Sequence, residues 1–112
     1  MKPEITFEDF LKVDIRIGTI IAINDFEKAK KPAYQLTVDF GDLGIKKSSA
    51  QITGLYTKEE LLYKQVSAII NLKPRQIADF MSEILVIGVY NKDGNVVLLQ
   101  ASKKIKNGEQ VS

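Results

Sequence analysis

The side chains able to do chemistry in this 112-residue chain are cations, amides and hydroxyls, gathered mainly in two stretches. The first is Asn71-Leu72-Lys73-Pro74-Arg75-Gln76-Ile77-Ala78-Asp79-Phe80-Met81-Ser82-Glu83. It lies between Val66–Ile70 and Ile84–Val89, two apolar runs whose Val and Ile content fits buried strands. A rigid scaffold holding a polar, cationic connection is a common way to present a binding site. A solvated loop kept soluble by its charges is the plainer alternative. The second stretch holds Lys46, Lys47, Ser48, Ser49 and Gln51. A Ser beside a Lys suggests an activated nucleophile. Adjacent residues of a strand point to opposite faces, so the sequence places neither serine for that role.

The absences narrow the chemistry further. There is no Cys and no His, which removes thiol catalysis, disulfides, the usual zinc ligands and imidazole acid–base chemistry. No Asp/Glu cluster has cation-site spacing, so no metal or other cofactor is expected. No glycine-rich phosphate loop is present. An enzyme is therefore not expected. No apolar run approaches the ~20 residues needed to cross a bilayer. No apolar segment follows Met1-Lys2-Pro3-Glu4, so no secretory signal is visible and a cytosolic protein without membrane insertion is expected.

Net charge is only +2, but it is unevenly spread. Residues 1–44 hold six Lys/Arg against eight Asp/Glu, and residues 45–112 hold ten against six. Lys46-Lys47, Lys73/Arg75 and Lys103-Lys104/Lys106 supply the excess. Brought together by folding, they would form a modest basic face.

The elements that must position these groups read mostly as strands. Thr6 with Asp9 resembles a helix cap, and Phe7, Phe10 and Leu11 then share one face of a short helix. So short a helix needs a docking surface, either its own barrel or a partner subunit. From Val13 the period becomes two, through Ile15, Ile17, Thr19, Ile21 and Ile23, which predicts a long strand with one apolar face. Gly18 inside it suggests a bulge or sharp coil, and Asp14 with Arg16 a surface ion pair. Asn24–Lys31 reads as a loop, Tyr34–Phe40 as the second strand, Gly41–Gly44 as a turn and Ile45–Ile52 as a polar third strand. Thr57 to Glu60 matches a capping box for a short helix reaching Leu61 and Leu62. A fourth strand is expected at about Gln65–Asn71 and a fifth at about Ile84–Tyr90. Asp93-Gly94 then turns the chain into a return strand, Val96–Gln100, and Asn107-Gly108 makes a final turn before a polar tail. Without repeats or low-complexity linkers, residues 1–112 read as one domain. The pattern is all-β: a five-stranded Greek-key barrel of the oligonucleotide/oligosaccharide-binding (OB) type, with short helices at the N-terminus and between strands three and four. An SH3-like barrel or an open sandwich accommodates it as well.

Val13-Asp14-Ile15-Arg16-Ile17-Gly18-Thr19-Ile20 resembles the opening signature of the tRNA-binding OB-fold family. That family includes the C-terminal domain of some methionyl-tRNA synthetases and endothelial monocyte-activating polypeptide II. Asn71-Leu72-Lys73-Pro74-Arg75-Gln76-Ile77 with Ser82-Glu83 resembles its second signature. Gly44–Thr53 and Ser82–Gly88 are similar, within that family, to the secretion chaperones of the CsaA type. The resemblance implies a homodimer that binds unfolded or export-bound polypeptides and cooperates with the preprotein translocase ATPase. Where tRNA-binding members carry a Gly-Met pair after the Ser, this chain has Ile84 and Leu85. Loss of that Gly removes room for a nucleotide to approach the backbone, so tRNA binding is expected to be weak.

RNA binding would use cations on phosphates and aromatics under bases; the aromatics near these cations are Tyr56 and Phe80. Peptide binding would use an exposed apolar groove. Both readings draw on Lys46, Lys47, Gln51, Asn71, Lys73, Arg75, Ile77, Phe80, Met81 and Ser82. Ordinary core and loop packing explains Ile77, Phe80 and Met81 equally well. Phe7, Phe10 and Leu11 are the expected dimer contacts. A structural adaptor without a ligand is the third class.

Overall fold

The computed structural model covers residues 1–112. Both short helices form where the caps are written. In α1 (Phe7–Leu11) the Asp9 N–H donates to the Thr6 hydroxyl at 3.1 Å, and the Thr6 N–H donates to the Asp9 carboxylate at 3.3 Å. In α2 (Lys58–Leu61) Thr57 and Glu60 exchange the same pair at 3.2 and 3.0 Å. Each box satisfies two donors that a helix start otherwise leaves unpaired. Leu61 is then buried in the core.

The strands are β1 (Ile15–Asp25), β2 (Tyr34–Asp39), β3 (Ile45–Ala50), β4 (Gln65–Ile69), β5 (Arg75–Ile77), β6 (Phe80–Ser82), β7 (Leu85–Val86), β8 (Gly88–Tyr90) and β9 (Val96–Leu98). A five-stranded sheet runs in the order β3-β2-β1-β4-β7, every neighbouring pair antiparallel. Four antiparallel steps leave the outermost strands, β3 and β7, parallel to each other. The sheet curls until these two nearly meet, which makes an almost closed OB-type barrel. Side chains and loop backbone supply the seam. The Glu83 N–H donates to the Lys47 carbonyl at 2.8 Å, and the Lys47 N–H to Glu83 Oε1 at 3.0 Å. The Ser49 N–H donates to Ser82 Oγ at 3.0 Å, and Ser48 Oγ to the Ile84 carbonyl at 3.2 Å. Inside lie Ile20, Leu36, Val38, Phe40, Leu61 and Val66, all but sealed from solvent.

Several boundaries and one register differ from expectation. β1 starts at Ile15 rather than Val13, and β3, β4 and β9 stop at Ala50, Ile69 and Leu98. The bulge in β1 is not at Gly18. It lies between Ile20, paired with Val38, and Ala22, paired with Thr37. The shift reverses the phase of the strand: Gly18 and Ile20 face the core before it, and Ile23 faces the core after it. The row Val13, Ile15, Ile17 thus lies on the outer face. Gly18 serves close packing, because a Cβ there would stand 2.7 Å from Val38 Cγ1 and 2.8 Å from the Phe40 ring. Asp14 and Arg16 form a part-buried pair, not a surface one: Arg16 Nε donates to Asp14 at 2.6 Å and Nη1 to the Gly108 carbonyl at 3.0 Å.

The fifth strand is divided. β7 pairs with β4, whereas β8 pairs with β9 in a separate ribbon. Ile87 is the switch: its N–H donates to the Ser67 carbonyl at 2.9 Å and its carbonyl accepts the Leu99 N–H at 3.1 Å. The expected loop at 71–83 contains a hairpin, β5–β6. The polar tail also has a place: its Gly108 and Val111 N–H groups donate to the Ile17 and Ile15 carbonyls at 2.7 and 2.8 Å.

Candidate functional site

Beyond Ser48 the seam opens. Where β3 and β7 part, a cleft of 580 Å³ forms, of the size of a ligand pocket. β3 contributes Ser49 and Ala50, continuing into Gln51 and Ile52. The β7 side contributes Ile84, Leu85 and Val86. Leu72 and the β5–β6 hairpin form a third wall, and Tyr90 of β8 stands at the end. Ten of the seventeen lining residues are hydrophobic, so the cleft is apolar with a polar rim.

The hairpin explains how the signature residues separate. Arg75 pairs with Ser82 and Ile77 with Phe80, which puts these four on one face, and Gln76 and Met81 on the other. Arg75, Ile77 and Ser82 line the cleft together with Lys73 and Gln51. Phe80 instead lays its ring on Phe26, centroids 5.4 Å apart. Met81 is exposed and lies outside the lining, as do Lys46 and Lys47. Lys46 and Lys47 are successive residues of β3, so they also point to opposite faces. Asn71 is occupied as a clamp: it accepts the Asp14 N–H at 2.9 Å and donates to the Lys12 carbonyl at 2.7 Å. It ties the end of α1 to the strand leading into the site. Leu72, Leu85 and Tyr90 are lining residues that sequence reasoning passed over. Leu72 stood inside a motif read for its charges, and Tyr90 reaches the cleft only because the fifth strand breaks at Ile87.

Lys73 and Arg75 are exposed and take part in no ion pair; the four ion pairs of the chain are elsewhere. Their charge is therefore available to a ligand. One of the four pairs holds the hairpin: Lys28 Nζ donates to Asp79 at 2.8 Å across its turn. That hydrogen bond raises the Lys28 pKa above its ordinary value and lowers that of Asp79 below the usual carboxylate range. The Glu60 carboxyl is likewise lowered, by the Thr57 N–H of its capping box. No three His, Cys, Asp or Glu side chains stand together as a metal site. Ser48 is buried, with its hydroxyl directed at the Ser49 and Ile84 carbonyls. No base is placed to activate it.

Of the expected dimer contacts, Phe7 and Leu11 are exposed, and Phe10 is half-buried with its ring 6.1 Å from that of Phe7. No helix is long and apolar enough to cross a membrane.

A nearly closed five-stranded barrel with an open seam and a cation-rimmed apolar cleft is an OB-type domain. The chain belongs to the tRNA-binding domain family: the family model described as "Putative tRNA binding domain" matches residues 15–110. The methionine–tRNA ligase of Chlorobium chlorochromatii is 37% identical over 110 residues, and that of Methanocaldococcus jannaschii 37% over 100. The chain spans only 15% of the length of either ligase. Among solved structures, the chaperone CsaA of Bacillus anthracis superposes with a TM-score of 0.93 at 45% identity, over 98% of this chain and 100% of that one. The CsaA chaperone of Picrophilus torridus superposes at 0.91 with 47% identity, over 97% and 100%. The chain is thus a tRNA-binding-type OB domain with the architecture of the CsaA chaperones.

Proposed function

We propose that this protein is a chaperone for polypeptides awaiting export. It holds unfolded or preprotein chains as a homodimer, without nucleotide, in the cytosol, and acts beside the preprotein translocase ATPase. It performs no catalysis of its own. The observation that carries the reading is the cleft at the open seam: apolar walls for side chains, with the free cations Lys73 and Arg75 and the Gln51 amide at the rim. The solved structures it resembles over nearly their whole length are named as chaperones. Holding without nucleotide must be reversible by mass action, because occupancy lowers the concentration of free unfolded chain. The test is suppression of aggregation of a heat-unfolded client by light scattering. Wild-type protein at a few-fold excess is expected to protect. Leu72→Ser, which changes an exposed lining residue, is expected to keep the fold and lose most protection. Failure of the wild type on several unrelated clients removes the chaperone reading.

A second reading is tRNA binding, favoured by the family match and by the unpaired Lys47, Lys73 and Arg75. A few phosphate contacts would give weak affinity that falls steeply with salt. Nanomolar, tRNA-selective binding at physiological salt would put this reading first.

A further inference from the structure

The cleft has a feature beyond its apolar walls: two strand edges face it with backbone groups unused. Lys47 exchanges hydrogen bonds with Glu83 on the side of β3 away from β2, so by alternation Ser49 and Gln51 also turn their backbone groups to that side. The Ser49 N–H is taken by Ser82 Oγ, and its carbonyl accepts the Ser48 hydroxyl at 3.1 Å. The Gln51 N–H and carbonyl make no hydrogen bond within the chain. Opposite, Ile87 directs its N–H to Ser67 of β4, so Val86 turns its N–H and carbonyl toward the cleft. Free strand edges are templates for another strand. Above them stand Lys73 and Arg75, both without an ion-pair partner.

We propose that the cleft takes its ligand as an added β-strand, on the edge that runs from Ser49 into Gln51, with a carboxylate of that strand seated on Lys73 and Arg75. The ligand class is an extended, acidic-ended peptide with alternating apolar side chains. β3 and β7 are parallel, so a strand entering between them can run antiparallel to both at once, the pairing in which hydrogen bonds run straight across. Its backbone supplies affinity irrespective of sequence, while every second side chain meets Ile52, Ile84 or Leu72. The paired cations set a preference: segments rich in Lys or Arg are repelled, and acidic or C-terminal segments are drawn in. This inference rests on the polypeptide-binding reading and specifies how that binding occurs.

The test uses a short synthetic peptide of alternating Val and Thr ending in Glu, followed by fluorescence anisotropy. A version N-methylated at alternate backbone positions, in each of the two registers, is the first comparison; a Glu→Gln version is the second. A chemically unfolded polypeptide serves as the control for binding of any kind. One methylation register is expected to lose about tenfold in affinity and the other less, since one set of N–H groups faces Gln51 and the other faces β7, which has only two residues. The Gln peptide is expected to bind more weakly at low salt, and Lys73→Ala with Arg75→Ala to abolish that difference. Equal binding of both methylated registers and the parent overturns strand addition, as does failure of the parent peptide while the unfolded polypeptide still binds. Loss of the unfolded polypeptide as well removes the polypeptide-binding reading itself. Single-stranded RNA that occupies the cleft where no peptide does makes RNA the ligand and overturns the proposal.

Discussion

Gly18 shows how tightly a single residue is held. It has ordinary strand neighbours, yet a methyl group there meets Val38 and Phe40, two of the most deeply buried side chains. Gly18→Ala is expected to cost about 1–3 kcal/mol by overpacking, seen as a lower urea midpoint. An unchanged midpoint would mean that the Phe40 ring yields freely. Leu72 is the contrasting case, since half of it is open to solvent and its truncation should leave the midpoint unmoved. The caps at Thr6 and Thr57 were legible because a capping box is written within four residues. The duty of Asn71 was not, because its partners lie 57 and 59 positions away. Arg75 and Lys73 were legible as cations in a signature, but their freedom from ion pairs is a property of the fold. Phe80 was read as a wall of a peptide groove; its ring is instead engaged with Phe26, so Phe80→Ser would disturb the hairpin rather than probe the cleft.

The β5–β6 hairpin is the element on which the site depends. Its strands have three residues each, and its turn carries Ala78 at φ +52°, a left-handed conformation that favours glycine. Neither feature advertises a hairpin in sequence, which is why the segment read as a loop. Two contacts hold it to the loop before β2: Phe26 with Phe80, and Lys28 with Asp79. The pH dependence follows from the second. Asp79 titrates lower folded than unfolded, so its contribution is full above the ordinary carboxylate range, about pH 4, and fades as pH falls through the folded value. Lys28 titrates higher folded than unfolded, so its contribution is full below about pH 10.4 and fades as pH rises through the folded value. Both groups are exposed and the effect is local. At low salt, the Phe80 ring resonances are expected to move toward free-chain positions below about pH 4, while core resonances such as Leu36 stay fixed. Asp79→Asn should show the moved positions already at neutral pH. Resonances that do not respond would assign the hairpin's hold on that loop to the Phe26–Phe80 contact.

Across the whole molecule, the barrel class was readable because five short strand-like runs separated by turn residues leave few closed solutions. The phase of β1 was not: Ile occupies both parities from Ile15 to Ile23, so no alternation marks the bulge. The break at Ile87 was hidden in the same way by a continuous apolar run. Phe7 and Leu11 are more than half exposed on a helix of five residues, which motivates the dimer. Light scattering at micromolar concentration is expected to give twice the 12.5 kDa chain mass, and deletion of residues 1–11 to weaken association. A monomer with the N-terminus intact would contradict the dimer, without touching the cleft.

The central claim is that unfolded chains occupy the open seam between β3 and β7, and site-directed photo-crosslinking tests it most directly. A benzophenone group is placed in turn at position 72, in the cleft wall, and at position 43, an exposed Leu outside the lining. On irradiation with a chemically unfolded polypeptide, an adduct from position 72 and little from position 43 is the expected result. Equal adducts from both, or an adduct from position 43 alone, would contradict it.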